Sequence, residues 1–129
     1  MALFLSVEWI EALDHAAARS ENLRNAARGR RIVMQQTISH KPDDRADYYV
    51  ELDDGHTVAR AGRAAAPDVH FRTDYATAAA ISLGQDSAQA AFMRGRLHVD
   101  GDIGALLQNA DLFSELDDVF AHVRSTTSY

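Results

Sequence analysis

Ala91-Phe92-Met93-Arg94-Gly95-Arg96-Leu97-His98-Val99-Asp100-Gly101-Asp102-Ile103-Gly104-Ala105-Leu106-Leu107 reads as the end of a helix, a short strand, a tight turn and the start of another helix. Gly95 can end a helix in the left-handed conformation, and Leu97 and Val99 alternate with Arg96, His98 and Asp100. Gly101-Asp102 then supplies a turn followed by a helix N-cap. The polar residues fall at the boundaries, so the apolar ones are expected to point inward. The stretch carries no obvious catalytic group and suits the wall of a cavity better than an active site.

Upstream, Ser6 can cap a helix running to about Arg28, with Trp9, Leu13, Ala16, Ser20, Leu23 and Ala27 along one stripe. From Arg31 to His40 the pattern alternates, placing Ile32, Met34, Gln36 and Ile38 on one face of a strand. Lys41-Pro42-Asp43-Asp44 breaks it, and Tyr48, Val50 and Leu52 mark a second strand. Asp54-Gly55 is a two-residue hairpin signal leading to a short polar edge strand, His56 to Ala61. After a link from Gly62 to Ala66, Pro67 opens a fourth strand with Val69 and Phe71 on one face. Asp74 to Leu83 reads as a helix ending at Gly84, and Asp86 or Ser87 can cap another that runs to Arg94. Beyond the opening stretch, Ile103, Leu106, Leu107 and Ala110 make one apolar face, and Leu112, Leu116, Val119, Phe120 and Val123 make a second. Ser125 to Tyr129 reads as a frayed polar tail.

The order is helix, four strands, two helices, one strand and a helical end. It predicts an α+β two-layer sandwich, a five-stranded, mostly antiparallel mixed sheet with helices on one face. The half-polar strands predict that the other sheet face is left exposed.

At 129 residues the chain fits one domain, residues 1–129. Hydrophobic residues make up 47% and charged residues 25%, a globular balance that argues against disorder. A net charge of -6 with scattered basic residues argues against nucleic acid as a partner. Arg28, Arg30 and Arg31 form the one tight basic cluster, read as the charged end of a helix. The absence of cysteine excludes disulfides and thiolate chemistry and fits a reducing compartment. The first residues lack the basic region of a secretory signal, and no apolar run approaches the roughly 20 residues of a bilayer span. A cytoplasmic place with at most transient membrane contact is expected.

The opening stretch resembles the sterol carrier protein 2 family, in which a helix ends in a buried aromatic and is followed by Gly-x-Leu-x-Val/Ile-x-Gly-Asp and an apolar helix. Here those residues are Phe92, Gly95, Leu97, Val99, Gly101 and Asp102, then Ile103, Leu106 and Leu107. The Pro67 to Phe71 strand and the alanine-rich segment from Tyr75 to Ile81 are similar as well. The resemblance covers about Arg31 to Val123. It implies a five-stranded sheet covered by helices on one side. It also implies an apolar tunnel between the layers, taking a sterol, fatty acid or fatty acyl group without catalysis or cofactor. Carried over residue by residue, it points to Phe71, Ile81, Phe92, Met93, Ile103, Leu106 and Leu107 as ligand-binding, with Phe113, Leu116 and Phe120 beside them. The family's eukaryotic members end in a peroxisomal tripeptide, whereas this chain ends in Thr127-Ser128-Tyr129.

Other chemistry finds less support. The six histidines, His15, His40, His56, His70, His98 and His122, form no local ligand pair, and no metal is expected. His40, His70 and His98 could converge across the sheet, but they read as solvated surface. Asp111, Glu115 and Asp118 share a helix face that also reads as solvated. Asp100 and Asp102 fit turn and cap chemistry, and Ser82 and Ser87 lack a nucleophile elbow. Two alternatives stay open: a cyclase or isomerase using one pocket His or Asp, and a docking module for a partner enzyme through the acidic C-terminal helix.

Overall fold

The structure is a computed structural model that describes residues 2–41 and 44–129. Ala2–Leu3 form β1, and Ser6 caps α1 (Val7–Arg19), its Oγ accepting the Trp9 N–H at 3.1 Å. The single helix expected from Ser6 to Arg28 is two. Ser20 is extended, with φ -76° and ψ 106°, and its hydroxyl accepts the Leu23 N–H at 3.2 Å to start α2 (Glu21–Ala26). A serine inside a helical pattern can offer the backbone a new cap, and here the cap wins over continuation.

The alternating segments form β2 (Arg31–Lys41) and β3 (Asp44–Asp53). Pro42 and Asp43, the centre of the break expected between them, lie outside the described residues. Asp54 and Gly55, at φ 47° and 87°, make the turn into β4 (His56–Ala61). Both central residues with positive φ fit the twist of a two-residue hairpin. β5 (Val69–Asp74), α3 (Tyr75–Ser82), α4 (Ala88–Met93), β6 (His98–Gly101), α5 (Ile103–Gln108) and α6 (Ala110–Arg124) follow in the expected order.

The sheet runs β4-β3-β2-β5-β6, with β2 and β5 parallel and the other pairs antiparallel. Ile32, Met34 and Ile38 of β2 share a face with Tyr48, Val50 and Leu52 of β3 and Val69 of β5. Trp9, Leu13, Leu23, Leu112, Leu116, Val119 and Val123 of the helices pack on that face in one buried cluster. Each such side chain, fully buried, stabilises the fold by about 1.5 to 3 kcal/mol, which is why these stripes decide the layer order. Asp14 reaches from α1 to accept the Ala59 N–H at 2.8 Å, covering part of the β4 edge.

Two expectations are corrected. The outer sheet face is not wholly open, because the link after β4 folds back over β2. Gln35 donates to the Gly62 carbonyl at 3.0 Å and accepts from the Ala64 N–H at 2.8 Å, and Asp68 accepts the Val33 N–H at 2.8 Å. Val33 and Gln35 are therefore buried. Nor is the C-terminal tail frayed: Thr127–Ser128 form β7, paired in parallel with β1, and Tyr129 lies against Phe4 with ring centroids 5.0 Å apart. A two-residue strand has no period to read, so its pairing was invisible in the sequence.

Candidate functional site

The opening stretch folds as helix, strand, turn and helix. Ser87 caps α4, accepting the Ala90 N–H at 3.0 Å, and Asp102 caps α5, accepting the Ala105 N–H at 3.0 Å. Gly95 has φ 76° and Gly101 φ 101°. A Cβ at Gly101 would collide with the Asp68 carbonyl oxygen. That carbonyl accepts the Asp102 N–H at 2.8 Å, so the missing side chain lets the turn lie directly on the chain entering β5.

The four apolar residues expected to face the sheet from this stretch do not. Phe92 is 54% exposed, Met93 78%, Ile103 43% and Leu107 73%. In α4 the inward position belongs to Ala91, which is fully buried and whose carbonyl accepts the Arg96 N–H at 2.9 Å. At about 100° per residue, Phe92 and Met93 are carried round to the outer side. No residue of α5 is buried, and its inward side is Ala105 and Leu106, which are half-buried.

The other six expected residues are gathered closer to the apolar layer. Phe71 on β5 meets Phe113 on α6 edge to face, with centroids 6.1 Å apart. Phe120 stacks beside Trp9 at 6.2 Å, Leu116 is buried, and Ile81 and Leu106 are half-buried. Trp9 also meets Tyr48 edge to face at 5.5 Å, and burial pushes the Tyr48 phenol far above the ordinary tyrosine value. Two buried side-chain atoms in the described residues have no hydrogen-bond partner: Trp9 Nε1 and Thr77 Oγ1. Unpartnered polar atoms in an apolar layer call for a role. Sequence reading missed both. Trp9 and Thr77 were legible only as stripe and helix residues, and nothing in the sequence signals an orphaned donor.

Two clefts open elsewhere, and none of the ten expected residues lines either. One, of about 340 Å³, lies on the outer sheet face and is lined by Thr37, Arg72, Arg96 and His98 among others. The other, of about 650 Å³, runs between α1 and α6, with His15 and Arg19 on one side and Glu115, Asp118 and His122 on the other.

The histidines do not converge. His40 stacks on Tyr75 at 4.5 Å. His70 Nε2 lies 2.7 Å from Thr37 Oγ1, which donates to Asp47 at 2.7 Å, so the ring must be the donor to the hydroxyl. Burial, and then Arg72 and Arg63, hold the His70 imidazole below its ordinary value. Among the described residues no three His, Asp or Glu side chains are grouped to hold a metal ion. Asp111 pairs with Arg30 at 2.7 Å, which holds its carboxyl below the usual range, and Arg31 lies 3.5 Å from Glu51. The basic cluster thus ties the start of β2 to α6 and β3. Among the described residues no helix is long and apolar enough to cross a membrane.

The fold and this arrangement have known counterparts. A conserved hypothetical protein from Thermus thermophilus, described as possibly a sterol carrier protein, is 25% identical. The match covers 95% of this chain and 91% of that one, with a TM-score of 0.80. A crystal structure of sterol carrier protein 2, also 25% identical, superposes with a TM-score of 0.76 over 91% of this chain and 96% of that one. Palmitated SCP2L2 from Aedes aegypti is 25% identical over the same shares, 91% and 96%, with a TM-score of 0.61. No curated protein matches the sequence. The model of the SCP-2 sterol transfer family matches residues 10–114, most of the chain, and the chain belongs to that family.

Proposed function

We propose that residues 1–129 act as one domain that binds or transfers an apolar ligand, a sterol, fatty acid or fatty acyl group, without catalysing a reaction on it. The observation that carries this reading is the outward placement of Phe92, Met93, Ile103 and Leu107 on two short helices whose only buried residue is Ala91. Large apolar side chains left in water on weakly anchored helices mark a surface that gains by covering something apolar. Phe71 of β5, Leu106 of α5 and Phe113 of α6 are half-buried against the apolar core and carry no charge. In this reading the ligand enters beside them, α4 and α5 turn their apolar faces onto it, and Ile81, Leu116 and Phe120 bound the tunnel. Met93, unbranched and soft, suits a wall that adapts to different chains.

Trp9 Nε1 and Thr77 Oγ1 give the reading its chemistry. The indole N–H only donates, whereas a hydroxyl both donates and accepts. A sterol hydroxyl or a fatty carboxyl group would satisfy such atoms, while the rest of the ligand needs none. The palmitated state of the Aedes aegypti neighbour is in keeping with a fatty acyl ligand. A cytoplasmic place is supported by the cysteine-free composition.

Native mass spectrometry of protein purified from cells, followed by displacement of a fluorescent fatty acid by palmitate and by cholesterol, tests the proposal. A one-to-one adduct and competitive displacement are expected. A protein that is empty and takes up neither ligand would sink it.

A further inference from the structure

We propose that the outer-face cleft is a binding site for a phosphoryl group, carried by a small phosphate ester or by a lipid headgroup. This inference does not rest on uptake of an apolar ligand, because the cleft lies on the opposite face of the sheet from the apolar layer.

The geometry is a row across three neighbouring strands. Thr37 of β2 is the register partner of Arg72 of β5, and Arg72 that of His98 of β6. Register partners share a face and stand about 5 Å apart, so the guanidinium and imidazole rise side by side. Arg96 enters from the turn after α4, held by the Thr73 hydroxyl, which donates to the Arg96 carbonyl at 2.8 Å. All four line a cleft of about 340 Å³ in a chain whose net charge is -6.

The cationic donors there are only partly used. Among the described residues Asp74 is the one carboxylate lining the cleft, and it accepts the Thr77 N–H at 2.7 Å as the cap of α3. Arg72 pairs with Asp100 at the rim, but a guanidinium has five N–H donors and one carboxylate leaves some unspent. Arg96 makes no ion pair among the described residues. With Asp74 and Asp100 offsetting the two guanidinium charges, what the cleft offers an oxyanion is the N–H donors of Arg72 and Arg96 that those carboxylates leave unspent. The arginine fork matches two phosphate oxygens at once, which favours a phosphoryl group over a halide. The cleft has room for more than the phosphate itself, which points to an ester.

The test titrates the protein with glycerol 1-phosphate, read by calorimetry and by amide shifts of residues 37, 72 and 98. Parallel samples measure co-sedimentation with phosphatidylcholine vesicles with and without phosphatidic acid. Arg96→Gln and His98→Gln are compared with Arg60→Gln, an exposed arginine on β4 away from the cleft. Expected is binding weakened about tenfold by Arg96→Gln and several-fold by His98→Gln, with Arg60→Gln unchanged and all three melting as the parent does. Loss of glycerol 1-phosphate binding in Arg96→Gln and His98→Gln, but not in Arg60→Gln, identifies a free ester as the ligand source. Loss confined to phosphatidic acid vesicles identifies a headgroup. If neither probe binds, or if Arg96→Gln binds as tightly as the parent, the proposal is overturned.

Discussion

The Tyr129 hydroxyl lies 2.6 Å from Ser82 Oγ and joins the last residue of the chain to the end of α3. The same ring lies against Phe4, so the β1–β7 pair, the tail and α3 close over the aromatic end of the core together. Tyr129→Phe leaves the buried Ser82 hydroxyl without this partner and should cost about 1 to 3 kcal/mol in chemical denaturation. Ser82→Ala in the Tyr129→Phe background should recover part of that loss. Strictly additive losses would mean that the two groups do not interact.

Gly101→Ala should be far worse than Gly95→Ala. Both glycines have positive φ, but a Cβ at Gly95 meets nothing within 4 Å, whereas one at Gly101 runs into the Asp68 backbone. Gly95→Ala should cost about 1 to 2 kcal/mol from backbone conformation. Gly101→Ala should exceed that and disturb the β5–β6 pairing, visible as faster amide exchange at Val69 and Gly101. Equal losses would show that the close approach at Asp68 is not a constraint.

Stability should fall as pH drops through the imidazole range. Burial, with Arg72 and Arg63, lowers the His70 value below 6.5 in the folded protein, so the unfolded chain takes up this proton first. The contribution is therefore fully present above about pH 6.5 and is lost as the pH falls further. Asp111, held low by Arg30, acts in the same direction in the carboxylate range. Asp117 acts oppositely, because burial and then Asp118 raise its value. Denaturation midpoints between pH 7.5 and 5 should fall less steeply in His70→Gln. Identical slopes would remove His70 from the account.

Phe92→Asp and Leu107→Trp should each shift stability by no more than about 0.5 kcal/mol, as expected of exposed positions. Both should weaken fatty acid uptake, Phe92→Asp by placing a charge on the surface that meets the ligand. A severe loss of stability in either variant would mean that these side chains are packed inward in solution, contrary to the structure.

Thr77→Val replaces an unpartnered buried hydroxyl by a methyl group of similar size and should leave stability unchanged or improve it. If Thr77 receives the ligand's polar end, palmitate should bind more weakly while hexadecane binds as before. Equal weakening of both would show that the variant alters cavity shape rather than recognition.

The sequence by itself determined the order of the five sheet strands, the edge position of β4, the caps at Ser6 and Asp102, a cap at Asp86 or Ser87, and the alternating faces of β2 and β3. These are local matters: side-chain period, capping chemistry and turn residues act over a few positions and can be read there. Tertiary structure decided the rest. It laid residues 62–68 across the outer face, paired β7 with β1 and turned Phe92 and Met93 outward by giving the buried position to Ala91. It also set Thr37, Arg72 and His98 in one row and left Trp9 Nε1 and Thr77 Oγ1 without partners. Each of these depends on which residues distant in the chain come to share a surface. A six-residue helix has too few turns to declare its buried side, so neighbours far along the chain decide what it shows to solvent.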